Sequence, residues 1–322
     1  MNIKPLNLYD GPVIDAHHHF WDPIENDHPW LKPDVLIPFR YGDYTAIKKK
    51  YYPEDYFADV GDINVVETCY METEWNPADP CGESDFITSV AKMTGYPNAV
   101  VGQAWLNHDD IDSVLKMQSS YELMRSIRHK PEGPDKPEDV GSYTTLMSDE
   151  RWRYGYSLLS KYNLMFDLQT QWWNLHEAVK LANDFPDTVI ILNHTGLPAQ
   201  RSVEGLAGWH SAMAALAECE NVMVKISGIG LKGIPWTVEN NLWIISETLS
   251  MFGPDRVMFA SNFPVDSLCG SFSDIFHGFM TVCEMKGYSH AAQRKMFHDN
   301  CKRIYRTIPP SELKGNIADN HI

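Results

Sequence analysis

No Cys-x-x-Cys pair occurs in the chain; Cys69, Cys81, Cys219, Cys269, Cys283 and Cys301 are scattered along it. That spacing excludes the usual cysteine-held zinc site and suits a reducing compartment. Basic blocks are scarce as well. Lys and Arg number 27 against 43 Asp and Glu, and the formal net charge of −16 argues against nucleic acid or an anionic membrane as partner. Lys48-Lys49-Lys50 is the one dense basic cluster and reads as a solvated face. No apolar run is long enough to span a bilayer, and the opening MNIKPLNLYDG has no apolar secretion-type segment. The expected location is the cytoplasm. No glycine-rich phosphate loop follows the first predicted strand, which counts against a dinucleotide-binding open sheet. Internal repeats are also missing.

What is present is core material: 43% of the 322 residues are hydrophobic, with 10 Trp, ample for one large domain. The densest chemistry lies in Val13-Ile14-Asp15-Ala16-His17-His18-His19-Phe20-Trp21. Read as a strand, it puts His17 and His19 on one face with Asp15 one step below, and His18 opposite. Two imidazoles at one strand end can grip a divalent metal or serve one reaction centre.

Residues 21 to about 60 are rich in aromatics and proline, a connection long enough to be functional or a lid. Within it, Arg40, Tyr41 and Tyr44 either touch a substrate or pack into a barrel mouth. From residue 61 a rhythm sets in. Strands are expected near 63–71, 99–105, 123–129, 164–169, 188–193, 222–227 and 256–261. Helices are expected near 83–95, 109–119, 148–161, 174–184, 206–219, 238–251, 271–286 and 289–304. Eight apolar strands alternating with helices predict an α/β protein with a parallel sheet. Eight units predict a (β/α)8 TIM barrel, a single domain over residues 1–308, with a long loop after strand one and a disordered tail at 309–322.

Residues at the carboxyl ends of such strands face the catalytic mouth. Strand one delivers His17 and His19, strand two Glu72 and Glu74, strand four Arg128-His129. Strand five delivers Gln169, strand six His194, and strand eight Asn262 with Asp266 just beyond. Alternation predicts that only one of Arg128 and His129 faces the mouth. Glu72 is either a metal or water partner or the ion-pair partner of Arg128. Trp172 is a candidate wall of the substrate pocket, with packing as the alternative.

Asp15-Ala16-His17-His18-His19-Phe20-Trp21, Glu72-Thr73-Glu74-Trp75-Asn76-Pro77, Ile127-Arg128-His129, Asn193-His194-Thr195-Gly196-Leu197-Pro198 and Phe259-Ala260-Ser261-Asn262-Phe263-Pro264-Val265-Asp266 together carry a family signature. From Asp15 to about Ile304 the chain resembles the amidohydrolase superfamily, in its branch of lactonases acting on sugar lactones, pyrone dicarboxylate and muconolactone-type rings. The resemblance implies a hydrolytic barrel with the His-x-His pair, the strand-six histidine and a strand-eight acid at its reaction centre. Some members of that branch hold one zinc and others work without metal. One departure stands out: the family's strand-eight Asp is here Asn262, and an amide cannot take a proton from water. Asp266, Glu72 or His194 then becomes the candidate base. Related aromatic-acid decarboxylases carry a glutamate where this chain has Asp15.

The expectation is therefore a metal-dependent lactone hydrolase, with an aromatic-acid decarboxylase and a catalytically decayed binding protein as alternatives. His17, His19, His194, Asp266 and Asn262 are the catalytic candidates. Arg128, Arg40, Tyr44, Glu72 and Trp172 are the substrate-binding ones. One divalent metal, Zn²⁺ first and Mn²⁺ second, is assigned to His17, His19, His194 and Glu72, with a metal-free mode left open. The expected partner is a small molecule, and both monomer and homodimer remain open.

Overall fold

The computed structural model describes residues 7–313. Eight parallel strands follow one another around a sheet: β1 (Val13–His18), β2 (Val65–Met71), β3 (Ala99–Gln103), β4 (Met124–Arg128), β5 (Met165–Leu168), β6 (Ile190–Leu192), β7 (Val222–Ile226) and β8 (Val257–Phe259). Each pairs with the next in sequence. Between them run α1 (Pro53–Val60), α2 (Gly82–Thr94), α3 (Ile111–Gln118), α4 (Glu150–Lys161), α5 (Leu175–Asp184), α6 (Val203–Ala217) and α7 (Val238–Phe252), with α8 (Phe272–Met285) after β8. This is the expected (β/α)8 barrel in one domain.

Closure is made just past the strand ends. The Asn262 amide donates to the His17 carbonyl at 2.7 Å, and the His19 amide donates to the Phe263 carbonyl at 2.8 Å. Asp15 reinforces this seam. Its carboxylate accepts from the Ser261 amide at 2.8 Å, the Ser261 hydroxyl at 2.5 Å and the Tyr56 hydroxyl of α1 at 2.8 Å. Asp15 therefore turns toward Tyr56 and Ser261 and not onto the face of His17, where strict alternation predicts it. The β1–β2 register shifts between Asp15 and His18, and such an irregularity breaks the two-residue alternation. Burial lifts the Asp15 carboxyl to about 6, against the pull of its four hydrogen bonds.

Ile14, Ala16, Met71, Val101, Ile191, Met223 and Met258 fill the barrel interior, and Tyr305 enters it from α10 (Asn300–Tyr305). Beneath the mouth sits a fully buried pair, Lys225 Nζ and Asp167 Oδ1 at 2.9 Å. Asp167 also accepts from the Tyr305 hydroxyl at 2.9 Å and from Asn193 Nδ2 at 2.8 Å. Removing one member strands the other charge. Lys225→Met is accordingly expected to cost about 3–5 kcal/mol in urea unfolding. The double variant Lys225→Met, Asp167→Leu should recover most of that loss.

Two elements differ from the sequence reading. The end of the expected long loop is helical as α1, which has proline at its first turn and Glu54 and Asp55 beside it. The expected helix at 289–304 is instead α9 (His290–Arg294), a π-helical turn over Lys295–Asp299, and α10. Of the expected tail, residues 314–322 lie outside the described residues, while 310–313 are helical and Leu313 is buried. Among the described residues no helix is long and apolar enough to cross a membrane.

Candidate active site

His17 and His19 leave the irregular end of β1 with ring centroids 5.1 Å apart; His19 lines the cavity at the mouth, and His17 is fully buried behind it. His194 follows β6, and its ring lies 4.6 Å from that of His17. Strand alternation alone would not bring it there. Asn193 already faces the interior, donating to Asp167, so His194 should turn outward. The backbone reverses it instead: φ is 55° at His194 and 49° at Thr195, a left-handed conformation that non-glycine residues adopt only under constraint. Asn262 and Glu74, at two other strand ends, also have φ of 57°. His194, Thr195, Asn262 and Glu74 thus gather left-handed backbone at the strand ends of the mouth, the kind of strain that clusters at functional sites.

Each imidazole is held differently. His194 Nδ1 pairs with the Ser227 hydroxyl at 2.9 Å, leaving Nε2 for the mouth. His19 Nδ1 meets the Met71 carbonyl at 2.9 Å. A carbonyl only accepts, so the proton sits on Nδ1 and Nε2 offers a lone pair. That lone pair faces the Asn262 Oδ1 at 3.4 Å, also an acceptor. His17 has both ring nitrogens buried and without a partner. All three rings are held neutral, their pKa values well below the usual histidine range through burial first and through neighbouring His, Arg and Lys groups second.

Asp266 lies on the far side of Asn262. Its Oδ1 accepts from Asn262 Nδ2 at 2.6 Å and from the Tyr41 hydroxyl at 3.0 Å, with Arg40 Nη2 at 3.6 Å. Its Oδ2 is buried with no partner. Burial raises the Asp266 pKa, and Arg40 with the donated hydrogen bonds opposes that rise. Gly228 makes room for this arrangement. Its φ is +59°, and a Cβ there would lie 2.4 Å from His194 Nδ1 and 2.8 Å from Arg40 Nη2.

Arg128 donates from Nε to Glu72 Oε1 and from Nη1 to Gln169 Oε1, the latter at 2.9 Å. The second Glu72 oxygen accepts from the Glu74 amide at 2.8 Å. Both Glu72 oxygens are thus engaged, and Glu72 acts as the ion-pair partner of Arg128 rather than joining the histidines. This corrects its expected metal role. Among the described residues no three or more His, Cys, Asp or Glu form a ready-made metal cage. The histidines nonetheless suit a cation: two orphaned nitrogens on His17, a free Nε2 on His194, and facing lone pairs on His19 and Asn262.

A cavity of about 290 Å³ is lined by His19, His194, Asn262, Arg40, Arg128 and Gln169, among others. Arg40 and Arg128 therefore stand where the sequence reading put them. Tyr44 does not. Its hydroxyl donates to the Trp30 and Val35 carbonyls at 3.1 and 3.2 Å, pinning the long loop, and Tyr41 is the loop tyrosine that reaches the site. Trp172 is buried against Trp173 and Gly208 rather than lining this cavity. Of Arg128 and His129 only Arg128 lines this cavity, as alternation predicts; His129 turns to Trp152 of α4, and both border a second cavity of about 590 Å³. His18 turns away as expected and packs among Phe20, Tyr56 and Tyr70. Ser227, at the end of β7, was overlooked; its place directly after Ile226, where a strand meets the mouth, was the available signal.

The family model described as amidohydrolase matches residues 14–307. The chain belongs to the amidohydrolase family. It is 37% identical over 303 residues to an uncharacterized protein of Sinorhizobium fredii, covering 93% of this chain and 100% of that one. It is 26% identical over 305 residues to an L-fucono-1,5-lactonase of Burkholderia ambifaria, covering 92% and 97%. Among solved structures, a zinc-bound amidohydrolase of Burkholderia multivorans superposes with a TM-score of 0.74 at 20% identity, covering 92% and 100%. The amidohydrolase is thus an enzyme of a hydrolase family, as its sequence resemblance implied.

Acid should unfold this amidohydrolase early. Burial holds His18 down to about 3, and His28 and His129 to about 4. An unfolded histidine titrates near 6.5, so between about 6.5 and 4 the unfolded chain binds more protons at these positions. Stability from them is present above 6.5 and lost as pH falls. Asp15, raised to about 6, Glu83, raised to about 8, and Asp266, also raised by burial, act in the opposite sense, but His17, His19 and His194 are lowered too, so six histidines outweigh three carboxyls. The thermal midpoint should drop clearly from pH 7 to pH 5, and a flat profile would count against the neutral buried state of these histidines.

Proposed function

We propose that this amidohydrolase opens a cyclic ester by adding water to its carbonyl. The observation that carries the reading is the buried, partnerless Oδ2 of Asp266, whose Oδ1 is tied to Asn262, the residue that faces the neutral His19. The lactone carbonyl sits toward His17 and His194, with Arg128 available to donate to the developing oxyanion. Asp266 Oδ2 accepts a proton from the attacking water as the new C–O bond forms. When the tetrahedral carbon collapses, the ring C–O bond breaks, and Asp266 returns that proton to the departing ring oxygen. Asn262 is no base; it holds Asp266 Oδ1 from one side while facing His19 on the other. Arg40 and Tyr41 fix the same oxygen, so Oδ2 alone is left to react. A divalent ion, Zn²⁺ or Mn²⁺, would be held by His17, His19 and His194 and would supply Lewis acidity toward the carbonyl and its water.

The lactonase name of the Burkholderia ambifaria relative supports this substrate class. The decarboxylase alternative draws on an acid two residues before His17, and Asp15 is spent on Ser261 and Tyr56. The protein is proposed to act in the cytoplasm on a small molecule, as monomer or homodimer and without nucleic acid or membrane partners. A pH-indicator assay over a panel of sugar, pyrone and muconolactone-type lactones tests the reading. One proton released per turnover with no carbon dioxide is the expected result. Carbon dioxide from an aromatic acid, with no lactone consumed, would sink it. In the same assay, chelation followed by dialysis should lower the rate, and added zinc or manganese should restore it. Full activity in metal-free protein would assign the work to the imidazoles alone.

A further inference from the structure

The mechanism uses the smaller cavity and leaves the larger one without a task. The two join at Trp30, Glu74, Arg128 and Lys130, which line both. Within that shared wall Glu74 and Lys130 pair at 2.7 Å, and both side chains are partly exposed. Beyond it the larger cavity offers the indoles of Trp75 and Trp105, the carboxylate of Glu132 and the amides of Gln103 and Asn107.

Its polar groups have unspent hydrogen-bonding capacity. Gln103 is 6% exposed, and its Oε1 is buried without a partner. His129 Nδ1 accepts from the Leu106 amide at 3.1 Å and from Trp152 Nε1 at 3.0 Å. Two donors on Nδ1 put the ring proton on Nε2, as a donor for the cavity. Burial keeps that ring neutral, with its pKa lowered to about 4. Three carboxylates (Glu72, Glu74, Glu132) outnumber the two cations Arg128 and Lys130, which disfavours an anionic occupant. A donor, an acceptor and two lining indoles around a space of about 590 Å³ suit a neutral, hydroxyl-bearing ring.

We propose that the larger cavity is a second sugar subsite, so that the preferred substrate is a sugar lactone carrying a glycosyl substituent, with the lactone ring at the histidines and the second ring between Trp75 and Trp105. This rests on the lactonase reading. The test compares kcat/KM for several monosaccharide aldono-1,5-lactones with their glycosylated counterparts, cellobiono- and lactobiono-1,5-lactone included, in wild type and in Trp105→Ala. Trp105 lines only the larger cavity. At least a tenfold preference for a glycosylated lactone is expected, falling below threefold in Trp105→Ala and returning in Trp105→Phe. Monosaccharide turnover should stay within twofold throughout. Monosaccharide lactones hydrolysed as well as every glycosylated one would overturn the subsite and leave the lactonase reading standing. A Trp105→Ala loss shared equally by both substrate kinds would do the same. No lactone of either kind turned over would overturn both.

Discussion

Replacing His194 by asparagine is expected to lower kcat/KM on a lactone by about two to four orders of magnitude, the usual worth of a positioned acid–base or polarising group. Asparagine is chosen because it tolerates the left-handed backbone that this position requires, so the φ of 55° need not change. The fold should therefore persist, with an unfolding free energy within about 2 kcal/mol of wild type, since what is lost is the bond to Ser227 and some packing. Ser227→Ala asks a narrower question. It leaves the imidazole in place but frees its Nδ1, and a loss of about 10- to 100-fold is expected from misorientation. If His194→Asn kept most of its activity, the convergence of the three rings would have no catalytic meaning.

The second large effect concerns the base. Asp266→Asn should lower turnover by about two to four orders of magnitude while preserving the fold. An asparagine Oδ1 can still accept from Asn262, Tyr41 and Arg40; what disappears is the partnerless oxygen. The pH dependence separates this from a structural defect. Burial raises the Asp266 pKa, so the wild-type rate should fall on the acid side at a pH above the ordinary carboxylate range, and the variant should lack that limb. Asn262→Asp adds a second carboxylate at the position whose Nδ2 now donates to Asp266 Oδ1 at 2.6 Å. Like charges at that distance cannot both ionise easily, so the acid limb should move to higher pH and the rate at pH 7 should drop. A faster Asn262→Asp enzyme would instead mean that the amide weakens an ancestral base.

The barrel was legible in the sequence because eight apolar runs, each bounded by polar strand ends, leave few other solutions. Most boundaries agree within two or three residues, helped by side-chain caps such as Asp149 for α4 and Ser271 for α8. His17, His19, His194, Asn262 and Asp266 were legible as strand-end chemistry. Their orientations were not. Asp15 changed faces because an irregularity in β1 broke the alternation, and His194 reached the mouth only through a left-handed turn no pattern announces. Tyr41 and Tyr44 could not be told apart because both lie in an aromatic loop whose course depends on long-range contacts. Glu72 looked like a ligand beside histidines, but a guanidinium two strands away claims it. Only partners distant in sequence decide such cases.

Turnover of an accepted lactone in water enriched with oxygen-18 tests the central claim most directly. Attack of water on the carbonyl with loss of the ring oxygen places one heavy oxygen in the product carboxylate and none in the alcohol. The account predicts that single label, formed by wild type and at a rate reduced about 100-fold or more in Asp266→Asn. Label in the alcohol, or equal rates in the two proteins, would contradict it.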